Sequence, residues 1–431
     1  YRRLIKNTLE FDPQILKRFV NFMNNPDERT AIDQYGRGDK YFGICTLLAT
    51  MPGLPMIGHG QVEGFTEKYG MEYRRAYWDE HPDAELVERH ELEIFPLLRR
   101  RHLFAEADHF LLYDFITHDG HTNEDVYAYS NCYRDERALV VYHNRYAETS
   151  GRIHFSAPIS DPGASDGENR EVSRSLTAGL GLQEAPGVYT TFHDLVTGLE
   201  YIRSNEELRD RGLYIELKAY ERHVFLNFRE IQDSSDRYYA RLTQHLNGRG
   251  APSLEDALQE LLLQPIHLPF VELVDPAYLD RLIDTRSSTD SAALQAIVEN
   301  AEQRVARVLT AIADWEGRSC SPADSVENRI ATIARQVSDR LRAALSLPNL
   351  DVSPATECSG VLDNPATMLL TGLLEQQLTW YTLLDWVFVH SLDEVLHSAR
   401  VQNQSIQWHT EWRLGPILVD SLCQAGISRI A

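Results

Sequence analysis

Cysteine is sparse in this sequence: five thiols, at positions 45, 132, 320, 358 and 423, are spread over 431 residues with no CxxC pair. That spacing spells neither a zinc site nor a disulfide framework. Isolated thiols read as buried residues in a reducing compartment, so the expected location is cytoplasmic. Basic residues are scarce too, with 42 Lys and Arg against 64 Asp and Glu and a net charge of −22. A nucleic-acid partner needs a basic stripe to neutralise phosphates, and anionic lipid would repel this chain. No run approaches the roughly 18 apolar residues of a membrane-spanning helix. A GxSxG elbow, a GxGxxG fingerprint and a phosphate-cradling P-loop are all missing. What stays open is a neutral substrate such as a sugar.

The composition, 43% hydrophobic and 25% charged, is that of a globular protein long enough for about two or three cores. The chain is organised around Asn24-Asn25-Pro26-Asp27-Glu28, which closes the apolar run Phe19-Val20-Asn21-Phe22-Met23. The run reads as a buried strand that delivers an acidic group to a loop. In residues 39–51, Tyr41, Ile44, Cys45, Leu48 and Met51 fall at helical spacing, and Pro52-Gly53 ends the helix. A second apolar strand, Leu54-Pro55-Met56-Ile57, then runs into Gly58-His59-Gly60-Gln61. Strand, acidic loop, helix, strand, polar loop is the order of a parallel βα repeat, in which chemistry sits at the carboxyl ends of the strands. The chain opens with Tyr1, inside what reads as a helix, so the expectation is a piece of a longer protein.

Asp12-Pro13 is a helix start, with Asp as cap and Pro in the first turn. Residues 85–101 read as one helix. From about residue 105 the pattern shifts to short alternating runs, seen at 110–115, 126–130, 138–143, 188–192, 213–217 and 223–228. Residues 105–230 are therefore a β-rich domain, interrupted by a Pro- and Gly-rich loop at 158–172. Residues 231–431 turn helical, beginning at the capping-box pattern Ser253-Leu254-Glu255-Asp256. Long periodic segments follow at 290–316, 323–346 and 367–400. Such a helical domain, with several amphipathic faces, is a candidate for oligomerisation.

The candidate residues each carry two readings. Asp27, placed just past a parallel strand, can bond hydroxyls or stabilise a cationic transition state. The plainer reading makes Asn-Pro-Asp a turn and Asp27 the cap of the next helix, and spacing alone favours it. His59 has no partner at metal-ligand spacing, which leaves a structural role or a hydrogen bond at a substrate's edge. Phe65, Tyr69, Tyr73, Tyr77 and Trp78 form either a sugar-stacking platform or a packing surface. Trp380, Trp386, Trp408 and Trp412 read as core.

Residues 22–28, Gly38-Asp39-Lys40 and residues 50–61 together resemble the end of the catalytic barrel of α-amylase-type enzymes, glycoside hydrolase family 13. There the seventh strand ends in Phe-x-x-Asn-His-Asp and the eighth runs through Pro-Gly-x-Pro. The resemblance implies that Asp27 is the transition-state-stabilising carboxylate, with Asn24, Asn25, His59 and Gln61 around the substrate. Pro26 stands where the family usually has a substrate-binding His, a form similar to the maltosyltransferase branch. Gly60-Gln61-Val62-Glu63 misses the usual Glu register by one.

The implied architecture is multidomain α+β. Residues 1–104 are the last two βα units of a (β/α)8 TIM barrel, 105–230 an antiparallel β-sandwich, and 231–431 an α-helical domain. The nucleophile and acid/base of a retaining enzyme would precede Tyr1, so this chain alone is expected to be inactive. The implied partner is an α-glucan or oligosaccharide, with no nucleic acid and no membrane. No cofactor is expected in this chain; whether the larger enzyme takes calcium is not decided by the sequence. The rival from another class is a non-catalytic carbohydrate-binding or scaffold protein that keeps the barrel shape.

Overall fold

The chain pairs two short strands in parallel, β1 (Val20–Phe22) and β2 (Leu54–Met56), with Val20 opposite Leu54 and Phe22 opposite Met56. The computed structural model describes residues 1–70, 74–160, 171–286, 291–316, 323–347, 376–392 and 412–424. It divides into two compact units, residues 1–258 and 259–431.

The first unit opens with helix α1 (Arg2–Phe11) and a 3-10 turn, Pro13–Arg18. The Asp12 carboxylate accepts from the Gln14 N–H at 2.9 Å, the cap that Asp-Pro implies. Between the parallel strands lie α2 (Ala31–Tyr35) and α3 (Asp39–Thr50). Of α3, the sequence suggests one inward stripe, but Tyr41, Phe42, Gly43 and every residue from 45 to 50 are buried. A helix apolar on all sides is covered on all sides.

The first strand also departs from the buried apolar run suggested by sequence. Its polar residue Asn21 is buried and donates to the Pro52 carbonyl at 2.9 Å, while Val20 and Phe22 are 48% and 45% exposed. With side chains alternating along a strand, satisfying Asn21 turns both apolar neighbours to the opposite face. The expected helix at 85–101 is broken into Ala84–Arg89, a π turn at His90–Ile94, and Phe95–Arg99. Pro96 has no N–H for a regular turn, and the widened turn before it absorbs the mismatch.

The antiparallel strands are β3 (Leu111–Thr117), β4 (Val126–Tyr133), β5 (Glu136–His143), β6 (Thr149–Ser156), β7 (Ile159–Ser160), β8 (Glu171–Val172), β9 (Val188–Asp194), β10 (Glu200–Ser204), β11 (Leu213–Leu217) and β12 (Arg222–Gln232). Where the sequence suggests a two-sheet sandwich, eight of them join one hydrogen-bonded sheet in the order β10-β9-β12-β5-β4-β3-β6-β11. Short β7 and β8 pair with each other at the ends of the expected loop at 158–172, of which 161–170 lies outside the described residues. One apolar core runs from Ile5 and Phe42 through Tyr113, Val140 and Tyr142 to Phe225.

A helix at Leu254–Leu273 crosses the unit boundary, and its Ser253 hydroxyl accepts from the Asp256 N–H at 3.1 Å. The second unit continues with Pro276–Thr285, Ser291–Glu316, Ala323–Leu345, Gln376–Leu392 and Leu414–Gln424. Phe270, Leu279, Val305, Leu309, Val337 and Leu384 are in its core. Trp380 and Trp412 are buried as expected, but Trp386 is 58% exposed, and Trp408 lies outside the described residues. Of the expected segment at 367–400, residues 376–392 are described.

Candidate functional site at the strand ends

Parallel pairing sets the loops after β1 and β2 at the same end of the pair, the end where βα folds carry their chemistry. In the first loop Asn25 builds the turn. Its Oδ1 accepts from the Asp27 N–H at 2.9 Å and the Glu28 N–H at 3.0 Å, while Pro26 sits between them. Asp27 is exposed, and it is not the helix cap: Thr30 occupies that position, its hydroxyl accepting from the Asp33 N–H at 3.4 Å. The turn reading survives and the capping reading does not.

Asn24 points the other way. It is 1% exposed, and its Oδ1 has no hydrogen-bond partner among the described residues. Gly58 lies directly against it, since a Cβ there would sit 2.6 Å from that oxygen. The second loop is held from below by Gln61, which is 3% exposed: its Oε1 accepts from the Gly58 N–H at 3.1 Å. Its carbonyl accepts from the Tyr41 hydroxyl at 2.6 Å. His59 is exposed, with its ring edge-on to Tyr69 at 5.4 Å.

A buried polar layer underlies both loops. His90 Nδ1 lies 2.8 Å from the Leu86 carbonyl, and its Nε2 faces the Tyr41 hydroxyl at 3.3 Å. A donor to a carbonyl must carry hydrogen, which places the proton on Nδ1. Burial lowers the basicity of His90 and pushes the neighbouring Cys45 thiol up to about 12. Both groups are therefore neutral at pH 7, as an unpaired site in low dielectric requires.

The segment after β2 is shaped by two carboxylates. Glu80 accepts from the Thr66 N–H at 2.7 Å, the Thr66 hydroxyl at 2.6 Å and the Glu67 N–H at 2.9 Å. Glu67 in turn accepts from the N–H groups of Tyr77 and Trp78, at 2.9 and 3.0 Å. Tyr77 and Trp78 are thereby held 77% and 57% exposed, while Phe65 and Tyr69 are half-buried and Tyr73 lies outside the described residues. Lys68, in the same segment, donates to the Asp27 carbonyl at 2.9 Å and ties the two loops together. Sequence reasoning missed Glu67 and Glu80, because acids at that separation look like ordinary solvated charge.

No protein-family model matches the chain. No curated protein matches it either. Solved structures do resemble it over part of its length. The α-amylase of Geobacillus thermoleovorans is 15% identical over 49% of this chain and 39% of its own, with a TM-score of 0.31. A cyclomaltodextrin glucanotransferase of three-domain ABC arrangement is 16% identical over 53% and 40%, at 0.35. The trehalose-6-phosphate hydrolase of Bacillus licheniformis is 14% identical over 52% and 46%, at 0.28. All three are enzymes of the α-amylase family. The chain thus spans 39–46% of their lengths.

The five residues singled out by sequence divide in two. Asp27 and His59 face solvent at the strand ends, whereas Asn24 and Gln61 are buried beneath them and Asn25 is half-buried, its side-chain oxygen committed to the turn. Among the described residues no cluster of three metal-ligating side chains occurs, and no described helix is long and apolar enough to cross a membrane.

Proposed function

We propose that this chain contributes the end of a catalytic (β/α)8 barrel, an antiparallel β domain and a helical domain to a retaining enzyme acting on α-linked glucans. The observation that carries the reading is the parallel pairing of β1 with β2, which puts the Asp27 loop and the Gly58–Gln61 loop at one end. Exposed Val20, Phe22 and Leu54 on this pair support it, because purely parallel sheets occur with both faces covered and two strands do not stand alone. Further parallel strands would complete the barrel and carry the nucleophile and the acid/base.

In that setting a carboxylate attacks the anomeric carbon while a carboxylic acid protonates the departing oxygen, the two lying about 5–5.5 Å apart. Asp27 stabilises the oxocarbenium-like charge between these steps. Tyr77 with Trp78 offers an apolar ring face to a pyranose, while Asn24, sealed beneath Gly58, shapes the second loop from below. Water as acceptor gives hydrolysis and a sugar hydroxyl gives transfer. Pro26, in place of the usual His, keeps transfer as the second reading.

The test is product analysis on maltooligosaccharides, with and without an acceptor sugar, using the complete reading frame that contains this chain. Asp27→Asn is expected to lower kcat by about 10²–10³-fold, the usual loss for one transition-state-stabilising group, without changing the melting temperature. Full activity of Asp27→Asn would refute the role given to Asp27. Sugar binding without turnover in the complete protein would favour the scaffold.

A further inference from the structure

The eight-stranded sheet ends on β10 at one side and β11 at the other, and both edge strands line a single cleft of about 930 Å³. Helix Tyr238–Leu246 contributes a third wall. None of the strand-end residues 20–70 takes part in the cleft. Its volume falls within the range of small-molecule sites, roughly 300–1,000 Å³.

The floor is aromatic and fixed. Phe192 and Tyr201 stack at 5.6 Å and 9°, and Phe225 meets them edge-on at 5.1 and 5.6 Å. His223 is parallel to Phe225 at 5.4 Å and is anchored by Asp194, 2.8 Å from its Nδ1. Nearer the mouth, Tyr214 is 45% exposed, and the Arg152 guanidinium lies over its ring at 5.4 Å.

Charge decides the ligand class. Arg152, Arg203 and Arg249 are balanced by Glu207, Glu216 and Glu221. All three guanidinium groups already donate to main-chain carbonyls: Arg152 to Gly212, Arg203 to Ile202 and Gly248, Arg249 to Leu246. Each guanidinium spends one or two donors on the backbone and three carboxylates balance the three cations, so neither an anion nor a cation meets a net opposing charge. Aromatic surface beside exposed carboxylates, at zero net charge, suits a neutral ligand rich in hydroxyls.

We propose that this cleft is a second sugar site, separate from the strand ends, which takes a short α-glucan with a pyranose against Tyr214 and hydroxyls donated to Glu207 and Glu216. The choice of α-glucan rests on the function proposed above. Isothermal titration of the full chain with maltoheptaose tests it. Tyr214→Ala should weaken binding about tenfold, the loss of one stacked ring. The exposed Glu207→Gln should also bind more weakly, whereas Tyr146→Ala, which removes an exposed ring outside the cleft, should bind like the wild type. Unchanged affinity in both Tyr214→Ala and Glu207→Gln overturns the cleft. If Asp27→Asn alone loses binding, the cleft is refuted while the glucan reading stands. If the wild type does not bind at all, both fall.

Discussion

Gly58→Ala tests whether Asn24 is wedged beneath the second loop. A Cβ at position 58 would lie 2.6 Å from Asn24 Oδ1, 2.7 Å from Nδ2 and 2.8 Å from Cγ. Asn24 is 1% exposed and has nowhere to retreat. Gly58 is not among the glycines with positive φ, so the backbone tolerates alanine and the whole cost is the contact. Overpacking of this kind costs about 1–3 kcal/mol, offset by about 0.4–1 kcal/mol from the stiffer unfolded chain. The net cost, about 0–2.6 kcal/mol, corresponds for a unit of this size to a fall in Tm of up to about 10 °C. In an Asn24→Ala background all three clashing atoms are gone. There Gly58→Ala should be neutral or stabilising by about 0.4–1 kcal/mol. Urea unfolding of the four proteins of this cycle gives the coupling, expected at about 1–3 kcal/mol. Additive costs would show that Asn24 does not fill the space under Gly58.

Two further outcomes are expected. Burial pushes Cys45 up to about 12 and Cys132 up to about 11, whereas Cys423 is exposed. At pH 8 about one Cys45 in 10⁴ is thiolate, so iodoacetamide followed by peptide mapping should label Cys423 early and Cys45 only after denaturation; native labelling of Cys45 at the Cys423 rate would contradict the burial. Burial alone would raise the Asp194 carboxyl, but bonds from His223, Thr197 and Val224 outweigh it and hold it below the ordinary range. A depressed carboxyl stabilises above its unfolded value, about 3.9, and that stability is lost as pH falls through the folded value. Asp194→Asn should therefore cost about 1.5–3 kcal/mol at pH 7 and flatten the acid limb of the stability curve. An unchanged acid limb would refute it.

The parallel βα unit was legible because its signals are local: an apolar run, a helix of period 3.6, Pro52-Gly53, then a second run. Most β-domain strands were legible through alternation, and Leu213–Leu217 matches the sequence reading residue for residue. Thr149–Ser156 was not, since Gly151, Arg152 and His154 dilute its pattern, and pairing to β3 and β11 rather than propensity makes it a strand. The π turn before Pro96 and the capping by Thr30 depend on how segments meet. The cleft was illegible for the same reason. Its walls come from β6, β9 to β12 and the helix after them, and only sheet curvature brings the two edges together.

Burial divides the labour at the strand ends. A plain turn would be satisfied by Asn25 alone, which bonds both following amides. It would not need a buried Asn24 oxygen with no partner among the described residues, a feature that costs about 1–3 kcal/mol. Nor would it need glutamates at 67 and 80 to accept main-chain donors in order to hold two large rings in solvent. An orphaned acceptor and exposed aromatics both lower stability in the free protein, and of the two only the rings of Tyr77 and Trp78 lie where a ligand could cover them. A residue retained only to cap the next helix would leave both costs unexplained, and Thr30 already holds that position.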